Sequence, residues 1–287
     1  YTPEYAAEVC GVPAEEIIAT AREYAAASPK AAICYTLGIT EHSCGSHNVQ
    51  SIANLGMLGG NFGMPNAGVN PLRGQNNVQG ASDSGALPTD LPGYQKIERP
   101  GVREKFEKAW GAELPKRRGI TKITAMDQML RGRVRGVYIM GENTVISDPN
   151  TNHARKALEA ADFIVVQDIF MTDTARLADV VLPAGSFAES DGTFANSERR
   201  VQRVRPAIKP VGESRTDVDI LLDLMGRFGI SQQLESPSDV WDEMRRLAPI
   251  FGGITYDRLD AEGGLQWPCP TEDHPGTEYL HADEMES

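Results

Sequence analysis

Three short apolar runs alternate with helical segments between residues 134 and 183, and this alternation constrains the fold more than any other feature. The segments 134–140, 163–166 and 180–182 are predicted strands, and 152–161 and 173–178 are predicted helices. Strands that alternate with helices form a parallel sheet with right-handed crossovers. We therefore predict an α/β protein with Rossmann-like, doubly wound parallel sheets and long irregular loops.

Small or polar residues follow each of these predicted strands. They are Gly141, Glu142 and Asn143 after the first strand, Gln167 and Asp168 after the second, and Pro183 and Ala184 after the third. The carboxyl ends of parallel strands meet at one edge of a sheet, and open α/β sheets bind ligands at that edge. A nucleotide-like ligand is favoured there, although ordinary turns also use Asn, Asp and Gly.

The chain carries neither GxGxxG after a strand nor GxxxxGK[ST], which argues against an ordinary NAD domain and a P-loop ATPase. A guanine base is compatible with the sequence, because its N1–H and N2–H₂ groups can pair with one carboxylate. Asp168 and Asp217 are the candidates for that carboxylate. The alternative for Asp217 is a helix cap, since it begins the predicted helix 216–228.

The stretch 68–80, GVNPLRGQNNVQG, combines glycines with amide side chains and a single charge, Arg73. It shows no apolar periodicity, so we predict neither a helix nor a strand in it. A lone guanidinium among neutral amides suits bidentate capture of a small carboxylate or phosphate. A surface loop with a solvated arginine is the alternative. The surrounding segment 59–95 is predicted to be almost wholly irregular, which favours a ligand site in a compact domain.

Charge and composition exclude several classes of partner. The 287 residues carry a net charge of −12, which argues against nucleic acid and anionic membranes. No 18-residue apolar run exists, so no membrane insertion is predicted. The four cysteines form no CxxC pair and the five histidines form no HExxH motif, so no metal site is predicted. Because the chain begins at Tyr1, we expect it to be part of a longer protein.

Several motifs together resemble the catalytic subunit of formate dehydrogenases, molybdenum enzymes that carry two molybdopterin guanine dinucleotides. The motifs are the 68–80 stretch, GGNFGMP (59–65), GALP (85–88), PGYQ (92–95), YIMGEN (138–143), VVQDIFMT (165–172), ADVVLP (178–183) and WPCP (267–270). The resemblance implies oxidation of formate to carbon dioxide. It also implies three parts: 1–74 as the C-terminal part of a pterin-binding domain, 75–215 as a second, guanine-dinucleotide-binding α/β domain, and 216–287 as a helical segment with an irregular tail.

The resemblance also implies roles for individual residues. Arg73 matches the substrate arginine. The residues implied to contact the cofactor are Glu41, Gln75, Gly141, Asn143, Ser147, Gln167, Asp168, Ala184 and Asp217. Three of them depart from the common pattern, since Glu41 stands where Gln is frequent, Asn143 where Asp can occur and Ala184 where Ser can occur.

The metal ligand, cysteine or selenocysteine, and the [4Fe–4S] ligands are expected in a part that precedes Tyr1, and molybdenum or tungsten is expected as the metal. The chain alone is therefore predicted to be inactive. Formate and electron-transfer subunits are the implied partners, and the cytoplasm is the implied location. The alternatives are another molybdopterin oxidoreductase, such as a nitrate reductase, and a metal-free scaffold subunit of a respiratory complex. The Arg73 stretch favours formate dehydrogenase over both.

Overall fold

The computed structural model describes residues 1–230 and 234–282. The chain divides into two compact units. The first comprises Tyr1–Val78, Asn196–Glu198 and the segment that begins at Gly276, and the second comprises Gln79–Ala195 and Arg199–Pro275. None of the helices in these ranges is both long and apolar enough to cross a membrane.

The first unit opens with two helices and continues as strand, helix, helix, strand. Its elements are α1 (Pro3–Cys10), α2 (Ala14–Ala27), β1 (Ala32–Tyr35), α3 (Leu37–Thr40), α4 (Gly45–Leu58) and β2 (Gly68–Pro71). Thr2 caps α1 by accepting a hydrogen bond from the Tyr5 amide at 3.2 Å, and Gly11 ends the helix in the left-handed conformation.

The prediction that 68–80 contains neither helix nor strand was wrong. Gly68–Pro71 forms β2, which pairs in parallel with β1, Ala32 opposite Gly68 and Tyr35 opposite Pro71. The sequence favours no strand there, and the pairing with a neighbouring strand overrides that weak local preference. A short helix, α5 (Val78–Asp83), then begins inside the same stretch.

A buried asparagine fixes the turn between α4 and β2. Asn61 is fully buried, and its side-chain oxygen accepts a hydrogen bond from the Ala31 amide at 2.9 Å. Its amide nitrogen donates to the Tyr24 hydroxyl at 2.9 Å and to Ser28 Oγ at 3.0 Å. Because buried polar groups are costly unless they are paired, this network specifies one path for the glycine-rich turn.

The second unit contains the predicted parallel sheet. Its strands are β5 (Gly136–Met140), β6 (Phe163–Asp168) and β7 (Val180–Pro183), in the order β5-β6-β7, and both pairings are parallel. Helix α9 (Thr151–Glu159) connects the first two strands. The α/β class and the common direction of all three strands are confirmed.

The two faces of this sheet differ in chemistry. Ile139, Ile164 and Val166 point to a core that includes Leu158 of α9 and Met129 of α7 (Lys122–Leu130). The residues between them along the strands face the other way. On that second face Tyr138 lies opposite Val165 in register, and Gln167 is two residues further along β6. The strand alternation therefore puts Tyr138 and Gln167 on the same side of the sheet.

A second, antiparallel sheet lies in the part of the second unit that follows β7, with the order β10-β9-β8. Its strands are β8 (Gly192–Ala195), β9 (Arg200–Val204) and β10 (Leu265–Gln266). They pack with α11 (Pro237–Leu247) and α12 (Tyr256–Glu262) around the buried side chains of Trp241, Phe251, Ile254 and Leu259. No strand was predicted at β8 or β9, and α12 and β10 lie in the segment 216–287, for which an irregular tail was expected.

The remaining elements of the second unit connect these layers. They are the antiparallel pair β3 (Asp90–Leu91) and β4 (Gln95–Lys96), α6 (Pro100–Trp110), α8 (Thr144–Ser147) and α10 (Asp217–Arg227). The segment 59–95 is thus less irregular than predicted, because it holds β2, α5 and the small β3–β4 pair.

Candidate functional site

The carboxyl edge of the parallel sheet brings together four of the residues implied as cofactor contacts. Gly141 follows β5, Gln167 and Asp168 end β6, and Ala184 follows β7. The Gly141 amide donates to the Gln167 carbonyl at 2.8 Å, and the Ala184 amide donates to the Asp168 carbonyl at 3.1 Å. Backbone hydrogen bonds therefore continue the parallel ladder past the strand ends and hold these four residues side by side.

Gly141 allows the chain to leave β5 in a sharp turn. Its φ of +64° lies in the left-handed region, where a side chain would strain the backbone. The turn leads directly into the short helix α8, which ends at Ser147. Asn143 and Ser147 therefore lie on the segment that directly follows this end of β5.

Asn143 holds this turn in place through its side-chain oxygen. That oxygen accepts hydrogen bonds from Thr174 Oγ1 at 2.8 Å and from the Thr174 amide at 3.2 Å. Thr174 Oγ1 in turn accepts from the Val145 amide at 3.0 Å, and Thr174 is fully buried. The oxygen of Asn143 is therefore engaged within the protein, and Thr174 is a supporting residue that the sequence did not single out.

An ion network surrounds Ser147 at the rim of the edge. Ser147 Oγ donates to Glu142 Oε1 at 2.8 Å, and Lys122 Nζ lies 2.8 Å from both Glu142 and Asp148. Partial burial lowers the pKa of Lys122, but its hydrogen bonds to Asp148 and Glu142 outweigh burial and raise the pKa above its usual range. Lys122 therefore stays charged and keeps the two carboxylates of this loop together.

The residue Asp217 reaches the edge from helix α10. Arg215 extends the sheet beyond β7, since its amide donates to the Pro183 carbonyl at 3.2 Å and its carbonyl accepts from the Gly185 amide at 2.7 Å. Thr216 then caps α10 by accepting from the Asp219 amide at 3.2 Å. The capping hydrogen bond considered for Asp217 is thus made by Thr216, and the Asp217 carboxylate is directed elsewhere.

The Asp217 carboxylate accepts a hydrogen bond from the Gln167 side chain. Gln167 Nε2 lies 2.5 Å from Asp217 Oδ1, and Gln167 Oε1 accepts from the Tyr138 hydroxyl. Burial raises the pKa of Tyr138, and the negative charge of Asp217 raises it further. Gln167 itself is fully buried whereas Asp217 is exposed, so the carboxylate is the part of this chain of contacts that a ligand can reach.

Asp168 and Ala184 offer less side-chain chemistry. Asp168 Oδ1 accepts from the Phe170 amide at 3.1 Å, which shapes the loop after β6. That loop exposes Ile169, Phe170 and Met171, which are 50%, 72% and 55% accessible to solvent. Ala184 is buried and contributes only backbone groups to the edge.

The other implied residues, Arg73, Gln75 and Glu41, lie in the first unit. Arg73 follows β2, and its amide donates to Ser197 Oγ at 3.0 Å while its guanidinium donates to the Val78 carbonyl at 3.4 Å. The Gln75 carbonyl accepts from the Val78 amide at 3.3 Å, so Arg73 and Gln75 belong to one turn, and both are exposed. Glu41 is also exposed and ends α3.

Metal-ligating side chains do not cluster in the part of the chain that the structure describes, where no group of three or more His, Cys, Asp or Glu could hold a metal ion. Of the loosely spaced His42, Cys44 and His47, the first two make local contacts. His42 Nε2 lies 2.9 Å from the Gly38 carbonyl, and Cys44 Sγ lies 3.5 Å from Asn48 Oδ1.

Known proteins resemble this chain over nearly its whole length. It is 47% identical over 287 residues to the alpha subunit of the F420-dependent formate dehydrogenase of Methanocaldococcus jannaschii, a match that covers 99% of this chain and 42% of the relative. It is 43% identical over 290 residues to formate dehydrogenase H of Escherichia coli, covering 100% of this chain and 40% of the relative. The chain thus spans about two fifths of the length of these relatives.

The fold has a counterpart among solved structures. Acetylene hydratase from Pelobacter acetylenicus superimposes with a TM-score of 0.62 at 20% identity, over 92% of this chain and 38% of that one. At this identity the likeness concerns the fold alone, and it agrees with the parallel α/β architecture. The family described as molybdopterin oxidoreductase matches residues 13–227, which include parts of both units and every residue of the sheet edge described above. The chain therefore belongs to the molybdopterin oxidoreductase family.

Proposed function

We propose that this chain is the central part of a formate dehydrogenase catalytic subunit that oxidises formate to carbon dioxide. The observation that carries the proposal is the identity of 43–47% with formate dehydrogenase subunits across essentially the whole chain. The cofactor of the proposed enzyme is a pair of molybdopterin guanine dinucleotides with molybdenum or tungsten. Three assignments of parts follow: 1–74 to a pterin-binding domain, 75–215 to a guanine-dinucleotide-binding domain, and 216–287 to a helical segment.

The sheet edge suits the guanine end of such a cofactor. Guanine presents two adjacent donors, N1–H and N2–H₂, and an exposed carboxylate can accept from both. Asp217 supplies that carboxylate, and Gln167 holds it. Asp168 and Gly141 lie at the same edge, and Asn143 and Ser147 lie on the segment that follows Gly141. In our proposal Ala184 contributes a backbone contact only.

Arg73 is the proposed substrate anchor. Formate has one carbon and one carboxylate, so its binding energy must come almost entirely from that carboxylate. A guanidinium binds it with two parallel hydrogen bonds and so also sets the direction of the C–H bond. The turn at Arg73 is tied at its backbone to Ser197 and carries the amide side chain of Gln75, which we assign to the cofactor together with Glu41.

The reaction releases two electrons and a proton when formate becomes carbon dioxide. The metal–pterin group supplies the two-electron acceptor when it is bound. The residues of this chain bind and orient: Arg73 holds the carboxylate, and the sheet edge holds the guanine end. The ligands of the metal and of a [4Fe–4S] cluster are assigned to other parts of the protein. The proposed partners are electron-transfer subunits, and the proposed location is the cytoplasm, in keeping with four unpaired cysteines.

The proposal is tested on the full-length protein by formate-dependent reduction of a viologen dye, together with elemental analysis for molybdenum and tungsten. We expect about one metal per chain and turnover with formate. Reduction of nitrate without formate oxidation would instead indicate a nitrate reductase. A protein that binds neither metal nor pterin would indicate a scaffold subunit, and either result would contradict the proposal. The chain 1–287 alone is expected to show no turnover.

A further inference from the structure

The Gln167 side chain lies between two partners that together fix its orientation. Its Nε2 donates to Asp217 Oδ1 at 2.5 Å, and its Oε1 accepts from the Tyr138 hydroxyl. An ionised carboxylate can only accept hydrogen bonds, so the amide must turn its NH₂ group toward Asp217. Its carbonyl then faces Tyr138, where a hydroxyl is a suitable donor. These two constraints set the donor and acceptor of both hydrogen bonds, from Tyr138 to Gln167 and from Gln167 to Asp217.

Burial separates the roles of the three side chains. Gln167 is fully buried at the end of β6, so its side chain can act on a ligand only through Asp217. Asp217 is exposed at the start of α10. Tyr138 is 40% exposed and lies on the face of the sheet that it shares with Gln167, opposite the Leu158 core. Tyr138 therefore contacts the side-chain amide of Gln167 on one face of the sheet, and the exposed Asp217 carboxylate is the group that a ligand at the edge would contact.

An exposed aspartate in the first turn of a helix has other conformations available, because backbone amides and water compete for its oxygens. The hydrogen bond from Gln167 selects the one that turns the carboxylate toward the sheet edge. That selection depends on the amide keeping its orientation. Without the Tyr138 hydroxyl, the side-chain oxygen of Gln167 loses its hydrogen-bond donor, and the side-chain amide is no longer held at its oxygen end.

We propose that Tyr138 is a positioning residue for guanine recognition: through Gln167 it holds the Asp217 carboxylate in the orientation that pairs with both N1–H and N2–H₂ of the base. The inference rests on the guanine site assigned under the proposed function. It adds that base selectivity depends on a residue that does not contact the base.

Comparing the binding of guanine and hypoxanthine nucleotides tests whether Tyr138 sets the orientation of the Asp217 carboxylate. Both bases present N1–H, but only guanine adds the neighbouring N2–H₂ group. Pairing with two adjacent donors requires one carboxylate orientation, whereas a single hydrogen bond tolerates several. Loss of the hydroxyl at Tyr138 should therefore weaken binding of GDP more than binding of IDP. A residue with a general structural role would weaken both nucleotides equally.

The experiment uses the full-length protein, purified without cofactor, and isothermal titration with GDP and IDP. Asp217→Asn defines the part of nucleotide binding that belongs to this edge. In the wild type we expect the Asp217-dependent binding to have an affinity for GDP about tenfold higher than for IDP, the scale of one hydrogen bond to a charged group. Tyr138→Phe should lower GDP affinity about five- to tenfold and change IDP affinity by less than about twofold. Tyr5→Phe, which removes a hydroxyl from α1, is the matched control and should change neither.

A double-mutant cycle with Gln167→Met tests the route of the effect. If Tyr138 acts through Gln167, Tyr138→Phe should have no further effect on GDP affinity once Gln167 is replaced. An equal loss in both backgrounds would overturn the inference, as would an unchanged GDP-to-IDP ratio in a folded Tyr138→Phe protein. If the wild type shows no Asp217-dependent preference for GDP, the guanine site itself is wrong and both proposals fail.

Discussion

Asp83 is the buried carboxylate on which we base the main stability prediction. It is 2% exposed, and its Oδ1 accepts from Gln79 Nε2 at 2.7 Å and from the Tyr94 hydroxyl at 2.8 Å. Its Oδ2 accepts from Trp267 Nε1 at 2.9 Å. Residues 79, 83 and 94 are close in the sequence, whereas residue 267 is 184 positions from Asp83, and all four belong to one unit. Asp83 therefore ties helix α5 to the segment around β10.

The magnitude follows from the donors that a replacement would leave without an acceptor. In Asp83→Leu three donors lose the carboxylate as an acceptor, and each buried donor left unpaired costs about 1–3 kcal/mol. Gln79 Nε2 keeps one partner, since it also donates to the Tyr94 hydroxyl at 2.9 Å. Tyr94 is 36% exposed, so water replaces part of that loss. We expect the free energy of unfolding to fall by about 3–5 kcal/mol. In Asp83→Asn one amide nitrogen must face a donor, and we expect a loss of about 1.5 kcal/mol.

Urea unfolding followed by tryptophan fluorescence measures both variants, and Trp267 itself reports on the site. Asp173→Asn, at an exposed position, is the control and should change the free energy of unfolding by less than about 0.5 kcal/mol. A loss below about 1 kcal/mol for Asp83→Leu would refute the reasoning, because the side chains of Gln79, Tyr94 and Trp267 would all lose the carboxylate as an acceptor. If the Leu variant does not fold, the Asn variant still gives a measurable value.

Two further predictions concern single hydrogen-bonded groups. Glu189 accepts from the Ser186 and Val211 amides at 2.6 and 2.8 Å, and the Ser186 amide, followed by the Ser186 side chain, lowers the pKa of Glu189 below its usual 4.5. The ionised Glu189 therefore stabilises the fold above pH 4.5, and this effect is lost as the pH falls through the lowered pKa. The difference in free energy of unfolding between wild type and Glu189→Gln, measured with urea, should be larger at pH 7 than at pH 3. Ser197→Ala removes the side-chain acceptor of the Arg73 backbone amide. In steady-state assays of the full-length protein it should raise the KM for formate about three- to tenfold, with a smaller change in kcat. An unchanged KM would show that Ser197 does not contribute to substrate binding.

The parallel sheet could be predicted because its signals are local. Continuous apolar runs end in small or polar residues at each of β5, β6 and β7, and the intervening segments have helical character. Strands joined by helical crossovers then all run in the same direction. The carboxyl edge with Gly141, Gln167 and Asp168 follows from that arrangement without knowledge of any side-chain contact.

Strand β2 and the pairing of β9 with β10 could not be predicted, because their stability comes from partners that are distant in sequence. Gly68–Pro71 has a composition that disfavours strands, and only the pairing with Ala32–Tyr35 makes it one. Strand β9 is dense in charge, yet Val201 is 2% exposed and packs into the core with Leu265 of β10. Such pairings join segments more than 30 residues apart, which local patterns do not reveal.

In the candidate site, too, local sequence patterns predicted some features and missed others. The sequence pointed to Asp217 but left open a cap or a ligand contact, and the position of Thr216 decides which residue makes the cap. Tyr138 was not selected, because an aromatic residue in an apolar strand resembles core. The alternation in β5 was the available signal: Val137 and Ile139 face the core, so Tyr138 had to face the other side of the sheet.

The most direct test of the formate assignment is the steady-state kinetics of Arg73→Lys in the full-length protein. Lysine keeps the positive charge but lacks the planar pair of donors that holds a carboxylate. We predict that kcat/KM for formate falls about 10- to 100-fold, while Arg117→Lys, at an exposed position in the second unit, leaves it unchanged. Normal turnover of formate by Arg73→Lys would contradict the role of this guanidinium as the substrate anchor.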